Sequence, residues 1–383
     1  MSETVMIVAG ETSGELYGAL LAEALKKKVP QIRIVGIGGE RMQAAGVELF
    51  SGIASAFGFA EALTSIRALQ ETFKKAAEAC RAYRPSVIVL IDYPDFNLRL
   101  AAEARKQKIP VLYYVSPQVW AWRRGRVKKI AKLVDRMAVI LPFEEQIYRD
   151  TGLDAEFVGH PIFDEIREVK SDKQVLKSEL GLDPDTQLIS LLPGSRPHEL
   201  KRLLPLILNA VRACKQEFPG YQYCIPFAQN TDLIQQKAFI DELQHEGVKI
   251  NKGKSLKTLA ASDYAVIASG TATLQAVLLG VPLVVIYKLF PLTFWLGKRI
   301  VKVKFASLIN ILSGREVVKE LLQKEATVQN ILSELKRMMG DPAYKEQMQK
   351  AYDAVRDIFS GRHASERVSD MVIEMANVKR LST

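Results

Sequence analysis

Short apolar runs alternate with stretches whose apolar residues recur at every third or fourth position, and the alternation holds along nearly the whole chain. Val5-Met6-Ile7-Val8 is the first run. The helical spacing from Leu16 to Leu25 then ends on Lys26-Lys27-Lys28, cations that suit a helix C-terminus. Ile32–Val35, Val87–Ile91 and Val111–Val115 predict further strands, Phe73–Tyr83 and Leu98–Lys106 predict helices, and Arg136–Leu141 and Glu156–Val158 are additional strand candidates. Apolar strands separated by helices predict a parallel sheet covered on both faces. Charge displaces the periodicity between Glu165 and Lys177, which places a linker there. A second series follows, with a strand at Leu188–Leu192, a helix from about Leu200 to Phe218 and strands near Tyr223 and Val248. It continues into Ala265–Leu279, where a strand runs through Ser-Gly-Thr directly into a helix. Helical patterns over Val317–Met339, Tyr344–Phe359 and Ala364–Val378 close the chain. The pattern predicts an α/β protein of two Rossmann-like doubly wound domains facing a cleft: residues 1–165 joined by a C-terminal helix at 360–383, and residues 166–359. Ligands of such sheets bind beyond the carboxyl ends of the strands, so strand ends carry the candidate chemistry.

A length of 383 residues suits two cores better than one. The 48% hydrophobic and 25% charged content is that of a chain folded throughout. A net charge of +10 favours acidic partners, whether nucleic acid, anionic lipid headgroups or phosphorylated substrates. The uncharged run from Ala265 to Tyr287 is long enough to span a bilayer, but Ser269-Gly270-Thr271, Gln275 and Gly280-Val281-Pro282 divide it into strand, helix and strand. Cys80, Cys214 and Cys224 are odd in number and lack ligand spacing, and no signal-peptide pattern opens the sequence, so a reducing cytoplasmic location is expected. His160, His198, His245 and His363 are scattered, and no metal site is expected.

At the strand ends, Ser269-Gly270-Thr271 opens a helix whose first N–H groups and macrodipole can hold phosphate oxygens; a plain helix cap is the competing reading. Pro193-Gly194-Ser195-Arg196-Pro197-His198-Glu199 is a second anion-suited turn, in which Arg196 can grip a diphosphate bidentately. Together they make a diphosphate the leading ligand of the second domain. In the first domain, Ala9-Gly10-Glu11-Thr12-Ser13-Gly14-Glu15 is either a ligand-approaching loop or a tight turn, and it lacks the Lys-Ser/Thr pair of an ATPase phosphate loop. The strand Val87–Ile91 delivers Asp92, followed by Tyr93-Pro94-Asp95-Phe96-Asn97. Asp92 is expected as a general base and Asp95 as the cap of the helix at Leu98, the alternative being that both only brace the turn. Tyr113 to Arg126 gathers aromatic, amide and cationic groups of the kind sugars and nucleic acids favour, although Arg126, Lys128, Lys129 and Lys132 read equally well as a solvated helix face.

Several of these motifs together resemble the lipid-A-disaccharide synthase family, glycosyltransferases of the two-domain GT-B type. They are Val8-Ala9-Gly10-Glu11-Thr12-Ser13-Gly14, Ile91-Asp92-Tyr93-Pro94-Asp95-Phe96-Asn97, Tyr114 through Arg123, Leu192-Pro193-Gly194-Ser195-Arg196, Ala265 through Leu279, Phe294-Trp295-Leu296 and Asn310-Ile311-Leu312-Ser313-Gly314-Arg315-Glu316. They stand in family order over almost the whole chain. The resemblance implies inverting, metal-independent transfer of 2,3-diacylglucosamine from UDP-2,3-diacylglucosamine to the primary hydroxyl of 2,3-diacylglucosamine 1-phosphate. The products would be a β-1,6 disaccharide 1-phosphate and UDP, with no cofactor. It implies that Asp92 deprotonates the attacking hydroxyl and that Gly194, Ser195, Arg196 and Ser269-Gly270-Thr271 hold the departing diphosphate. Glu11 and Ser13 would arrange the acceptor side, and Asn310 would contact UDP. Gln275 stands where relatives often place a glutamate suited to ribose hydroxyls; glutamine still accepts and donates, without charge, and is kept as a ribose contact.

Acylated substrates must be drawn from a membrane. Phe57, Phe59, Leu63, Ile66, Leu69 and Phe73 recur at helix-like spacing beside Arg67, Lys74 and Lys75, which suits an interfacial helix as well as a core-facing one. Leu289-Phe290-Pro291-Leu292-Thr293-Phe294-Trp295, followed by Lys298, Arg299, Lys302 and Lys304, joins aromatics to cations in the same way. The expectation is a peripheral enzyme on the cytoplasmic face of the inner membrane, serving Gram-negative outer-membrane biogenesis. It would have no specific nucleic-acid partner and be compatible with an oligomer. The competing readings are a soluble UDP-sugar epimerase of the same architecture, a nucleotide-sugar-binding regulator without turnover, and a basic RNA-binding protein.

Overall fold

The computed structural model describes residues 3–52, 62–122, 124–167, 169, 172–229, 231–289 and 304–381. The chain divides into two compact units, Met1–Asp164 with Gly361–Thr383, and Glu165–Ser360. Each junction lies one residue from the boundary the sequence suggests.

The first unit carries β1 (Thr4–Ala9), β2 (Arg33–Gly38), β3 (Glu48–Gly52), β4 (Val87–Ile91), β5 (Val111–Tyr114), β6 (Arg136–Val139) and β7 (Asp154–Phe157). They form one parallel sheet in the order β3-β2-β1-β4-β5-β6-β7. The second unit has β8 (Gln187–Leu192), β9 (Tyr221–Phe227), β10 (Lys249–Lys252), β11 (Tyr264–Ala268), β12 (Leu283–Tyr287) and β13 (Glu320–Leu322). Their order is β10-β9-β8-β11-β12-β13, again parallel. In each sheet the winding direction reverses once, between β1 and β4 and between β8 and β11, which is the doubly wound arrangement. Central strands such as Val87–Ile91 are wholly buried because helices cover both faces of the sheet.

The helix Ala364–Leu381 completes the first unit by packing on the helix Thr12–Lys28. Val368, Met371 and Val372 are fully buried there, and burying such side chains contributes about 1.5–3 kcal/mol each. Ion pairs fix the register: Lys28 to Asp370 at 2.7 Å, Arg367 to Glu156 at 2.6 Å and Arg136 to Glu374 at 2.6 Å. These pairs are partly exposed, and ion pairs open to solvent are worth about 0–1 kcal/mol each, so the apolar face supplies most of the attachment.

Three sequence expectations change. The supposed linker contains the helix Lys173–Glu179, started by the Asp172 carboxylate accepting from the Gln174 N–H at 2.7 Å. Its Lys177 is buried, donating to the Thr186 carbonyl at 2.9 Å and pairing with Asp263 at 3.1 Å, so a charge in the segment expected as a linker is structural. The expected helix over Val317–Met339 opens as β13, with Glu320 to Leu322 registered against Val285 to Tyr287, and the helix starts only at Val328–Gly340. Leu321 and Leu322 fit either period, and the open edge of the sheet takes them. β3, which carries a polar Ser51 and Glu48, gave too weak an apolar run to be read as a strand. The uncharged run Ala265–Tyr287 is β11, the helix Thr271–Leu278 and β12, and among the described residues no helix is long and apolar enough to cross a membrane.

Candidate active site

β1 and β4 are paired with Ala9 beside Ile91, so the turns that follow them leave the same edge of the sheet together. This brings Glu11, Ser13 and Asp92 to the switch point of the first unit. Gly10 is required there: a Cβ on it would lie 2.5 Å from the Tyr93 Cβ. Asp92 and Tyr93 have φ of 49° and 44°, left-handed backbone that costs about 1–3 kcal/mol at a residue with a side chain. The surrounding fold holds this conformation. The Tyr113 hydroxyl donates to the Asp92 carbonyl at 2.6 Å, and the buried Asn97 amide donates to the same oxygen at 2.8 Å and to the Ile91 carbonyl at 3.1 Å. The Asp92 N–H completes the clamp by donating to the Tyr114 carbonyl at 3.1 Å. Asp92 itself is half-buried at the sheet edge. Burial raises the Tyr93 phenol above its ordinary range, and the nearby charges of Glu11 and Asp95 raise it further.

Asp95 is not the cap expected for it. Pro94 occupies the first helical position, a place proline favours, so the helix Pro94–Lys106 starts ahead of Leu98 with Tyr93 as its cap residue. Asp95 is exposed on the first turn, pairing with Arg126 at 3.1 Å. The aromatic surface expected after β5 also turns inward. Tyr113 and Tyr114 are fully buried and Trp120 nearly so, since β5 is a central strand covered on both faces. The Trp120 indole donates to the buried Glu144 carboxylate at 3.1 Å, and the other oxygen of Glu144 accepts from the Leu141 N–H at 3.1 Å. Burial pushes the Glu144 carboxyl up to about 7 against the pull of these donors. Lys128, Lys129 and Lys132 are exposed, a solvated face. Arg123 and the side chains of Trp122 and Arg124 lie outside the described residues.

In the second unit Ile267 of β11 pairs with Leu192 of β8, so the two anion-suited turns again leave adjacent strands at one edge. The helix Thr271–Leu278 begins after Gly270, and no side chain caps it. The Ser269 hydroxyl instead donates to the Ala306 carbonyl at 3.0 Å, which removes the plain serine-cap reading. Among the described residues, a Cβ at Gly270 would meet nothing within 4 Å. At the other turn, the Ser195 and Arg196 N–H groups donate to Glu199 Oε2 at 3.0 and 3.2 Å, and Arg196 Nη1 lies 3.4 Å from Glu199 Oε1. Gln275 donates to the Glu165 carboxylate at 2.8 Å, so a carboxylate stands directly beside the uncharged amide.

Asn310 is fully buried, and its amide is saturated. It donates to the Val318 carbonyl at 2.9 Å and to Glu320 at 2.8 Å, and accepts from the Val317 and Val318 N–H groups at 2.7 and 3.0 Å. The Asn310 side chain thereby ties the loop at Val317 and Val318 to Glu320. Glu320 also accepts from the Ala306 N–H at 2.8 Å, the Ser307 N–H at 2.9 Å and the Ser307 hydroxyl at 2.6 Å. Through Ala306 this network reaches Ser269. Glu199 was legible in principle, since a glutamate three residues after the residue that precedes a helix is the acceptor half of a capping box. Glu320, Glu144, Tyr113 and Asn97 act through the fold and carry no such signal.

The membrane-side candidates are divided by what is described. Phe57 and Phe59, the side chains of Leu63 and Ile66, and the segment 290–303 lie outside the described residues. Phe73, on the helix Ala62–Tyr83, packs edge-on against the buried Phe96 with ring centroids 5.8 Å apart.

The sequence signature of lipid-A-disaccharide synthetase matches residues 5–372. The lipid-A-disaccharide synthase of Syntrophus aciditrophicus is 41% identical over 98% of both chains, and that of Trichlorobacter lovleyi is 41% identical over 97% of both. Among solved structures, a UDP-GlcNAc 2-epimerase of Neisseria meningitidis bound to UDP-GlcNAc superposes with a TM-score of 0.66 at 12% identity, covering 93% of this chain and 99% of that one. The glycotransferase of kitacinnamycin gives a TM-score of 0.64 at 14% identity over 98% and 99%. These two likenesses show the fold, two doubly wound α/β units in one chain, and the sequence relatives show the enzyme class. The chain belongs to the lipid-A-disaccharide synthase family, glycosyltransferases of lipid A biosynthesis.

Proposed function

We propose that the chain transfers 2,3-diacylglucosamine from UDP-2,3-diacylglucosamine to 2,3-diacylglucosamine 1-phosphate with inversion. Asp92 takes the proton of the acceptor's primary hydroxyl as its oxygen bonds to the anomeric carbon of the donor. The bond from that carbon to the diphosphate breaks, and UDP leaves. The observation that carries this reading is the clamp on the Asp92 carbonyl by Tyr113 and Asn97, which fixes a costly backbone conformation at a strand-end carboxylate. Glu11 and Ser13, on the adjacent turn, are assigned to the acceptor sugar. In the second unit the open helix start at Ser269-Gly270-Thr271 and the Arg196 guanidinium offset the charge that develops on the diphosphate, the task a metal ion has in other transferases. Gln275 and its neighbour Glu165 are assigned to the ribose hydroxyls. Asn310 serves UDP indirectly, through the loop it holds against Glu320.

The acylated substrates place the enzyme at the cytoplasmic face of the inner membrane as a peripheral protein; sedimentation with anionic vesicles tests this placement. The epimerase reading draws on fold likeness alone, whereas the transferase reading draws on relatives 41% identical along the chain. Turnover with defined acylated donor and acceptor tests the proposal directly. Asp92→Asn should lower kcat by about 100- to 10,000-fold, the range for losing a general base, while UDP affinity stays the same. Near-normal turnover in this variant overturns the role of Asp92.

A further inference from the structure

The turn after β8 already holds an anion of its own. Glu199 is 4% exposed, and its Oε2 accepts from the Ser195 and Arg196 N–H groups at 3.0 and 3.2 Å. Its Oε1 faces the Arg196 guanidinium at 3.4 Å. Gly194 makes room for this carboxylate: its φ is +94°, and a Cβ on it would lie 2.3 Å from Glu199 Oε2. The backbone donors that a phosphate would use at this turn are thus engaged by a side chain from the same helix, Pro197–Glu217. A second anion brought to those donors would meet a buried carboxylate at hydrogen-bonding range, where like charges repel strongly. The β11 turn differs, with no side chain capping its helix and open space at Gly270.

We propose that Glu199 is a positioning residue for nucleotide binding: it fills the backbone donors of residues 195 and 196 and aims the Arg196 guanidinium, so that this turn meets the diphosphate of UDP through that side chain alone. The proposal rests on the reading that the second unit binds UDP. Glu199 thereby selects a charged, planar fork over a row of N–H groups as the recognition element, and pairing a guanidinium with a carboxylate on one edge restricts the orientation of the other.

Titration calorimetry of UDP and of uridine on the full chain tests the proposal, using the unsubstituted protein, Glu199→Gln, Arg196→Gln and the double variant. Glu199→Gln should weaken UDP by about tenfold or more and leave uridine unchanged, because only the diphosphate meets Arg196. In the Arg196→Gln background, Glu199→Gln should cost no further UDP affinity. Equal weakening of UDP and uridine would mean that Glu199 only holds the turn together, and tighter UDP binding would mean that its carboxylate competes with the ligand. Additive losses in the double variant would mean that Glu199 acts apart from Arg196. Any of these three results overturns the proposal. If the unsubstituted protein binds UDP no more tightly than uridine, the assignment of a diphosphate seat to the second unit fails first and the proposal falls with it.

Discussion

The switch point of the first unit and that of the second share one strand order but build their turns from opposite materials. After β4 the backbone is bent by Asp92 and Tyr93, residues with side chains held in the left-handed region and clamped by Tyr113 and Asn97. After β8 the bend falls on Gly194, and after β11 the extended Gly270 leaves open space. In the proposed reaction a general base must be aimed at one proton, and the buried hydrogen bonds that hold the strained turn would aim it. A diphosphate spreads its charge over several oxygens, so dipoles and a guanidinium beside cleared backbone are enough.

The contrast can be broken at several points. After the loss set for Asp92→Asn, the largest effect is expected from Asn97→Ala, which takes a donor from both the Ile91 and Asp92 carbonyls. It should destabilise the protein by about 1–3 kcal/mol and lower kcat by about 10- to 100-fold at unchanged UDP affinity. Unaltered kcat in a folded variant would show that the clamp does not aim the base. Gly194→Ala should cost about 1–3 kcal/mol in thermal or denaturant unfolding, through both the strained φ and the contact with Glu199.

Two buried groups of the first unit sharpen the comparison through pH. Burial lowers the His160 imidazole from 6.5 to about 3, so its contribution to stability is complete above pH 6.5 and is lost as pH falls toward 3. Burial raises the Glu144 carboxyl from 4.5 to about 7, so its contribution is complete below pH 4.5 and is lost as pH rises through 7. Between pH 4.5 and 6.5 the two oppose each other. In that window Glu144→Gln, which removes the opposing term, should lose up to about 1.4 kcal/mol per pH unit on acidification relative to the unsubstituted protein. His160→Gln should gain by a similar slope, and denaturant titrations across the window that run parallel for all three proteins would refute both assignments. The smallest effect belongs to Gly270→Ala, which should change stability by no more than about 0.5 kcal/mol while weakening UDP. A stability loss as large as that of Gly194→Ala would erase the distinction between the two glycines.

Much of this was legible because it depends on short-range pattern. The runs Val87–Ile91 and Leu188–Leu192 are strands within a residue of where periodicity puts them, and Asp92, Arg196 and Ser269 follow strand ends that apolar runs make visible. Residues whose roles depend on the fold were harder to read. Glu320 meets Ala306 and Asn310 only because β13 joins the sheet edge, and Leu321 and Leu322 suit a helix as well as a strand. Trp120 looked like a sugar platform because sequence does not disclose that a buried glutamate behind it accepts the indole hydrogen. Pro94 begins the helix rather than delaying it, so the helix starts about one turn ahead of Leu98 and Asp95 falls inside its first turn.

The return of Ala364–Leu381 to the first unit has a consequence for synthesis on the ribosome. Residues 165–360 are contiguous, so the second unit can close as soon as its own chain is made. The first unit begins earlier but must wait, its Thr12–Lys28 helix lacking the Ala364–Leu381 partner, which brings the buried Val368, Met371 and Val372. During that interval the nascent chain carries an unfinished apolar face, and domain-by-domain folding runs in the reverse of the usual N-terminal-first order.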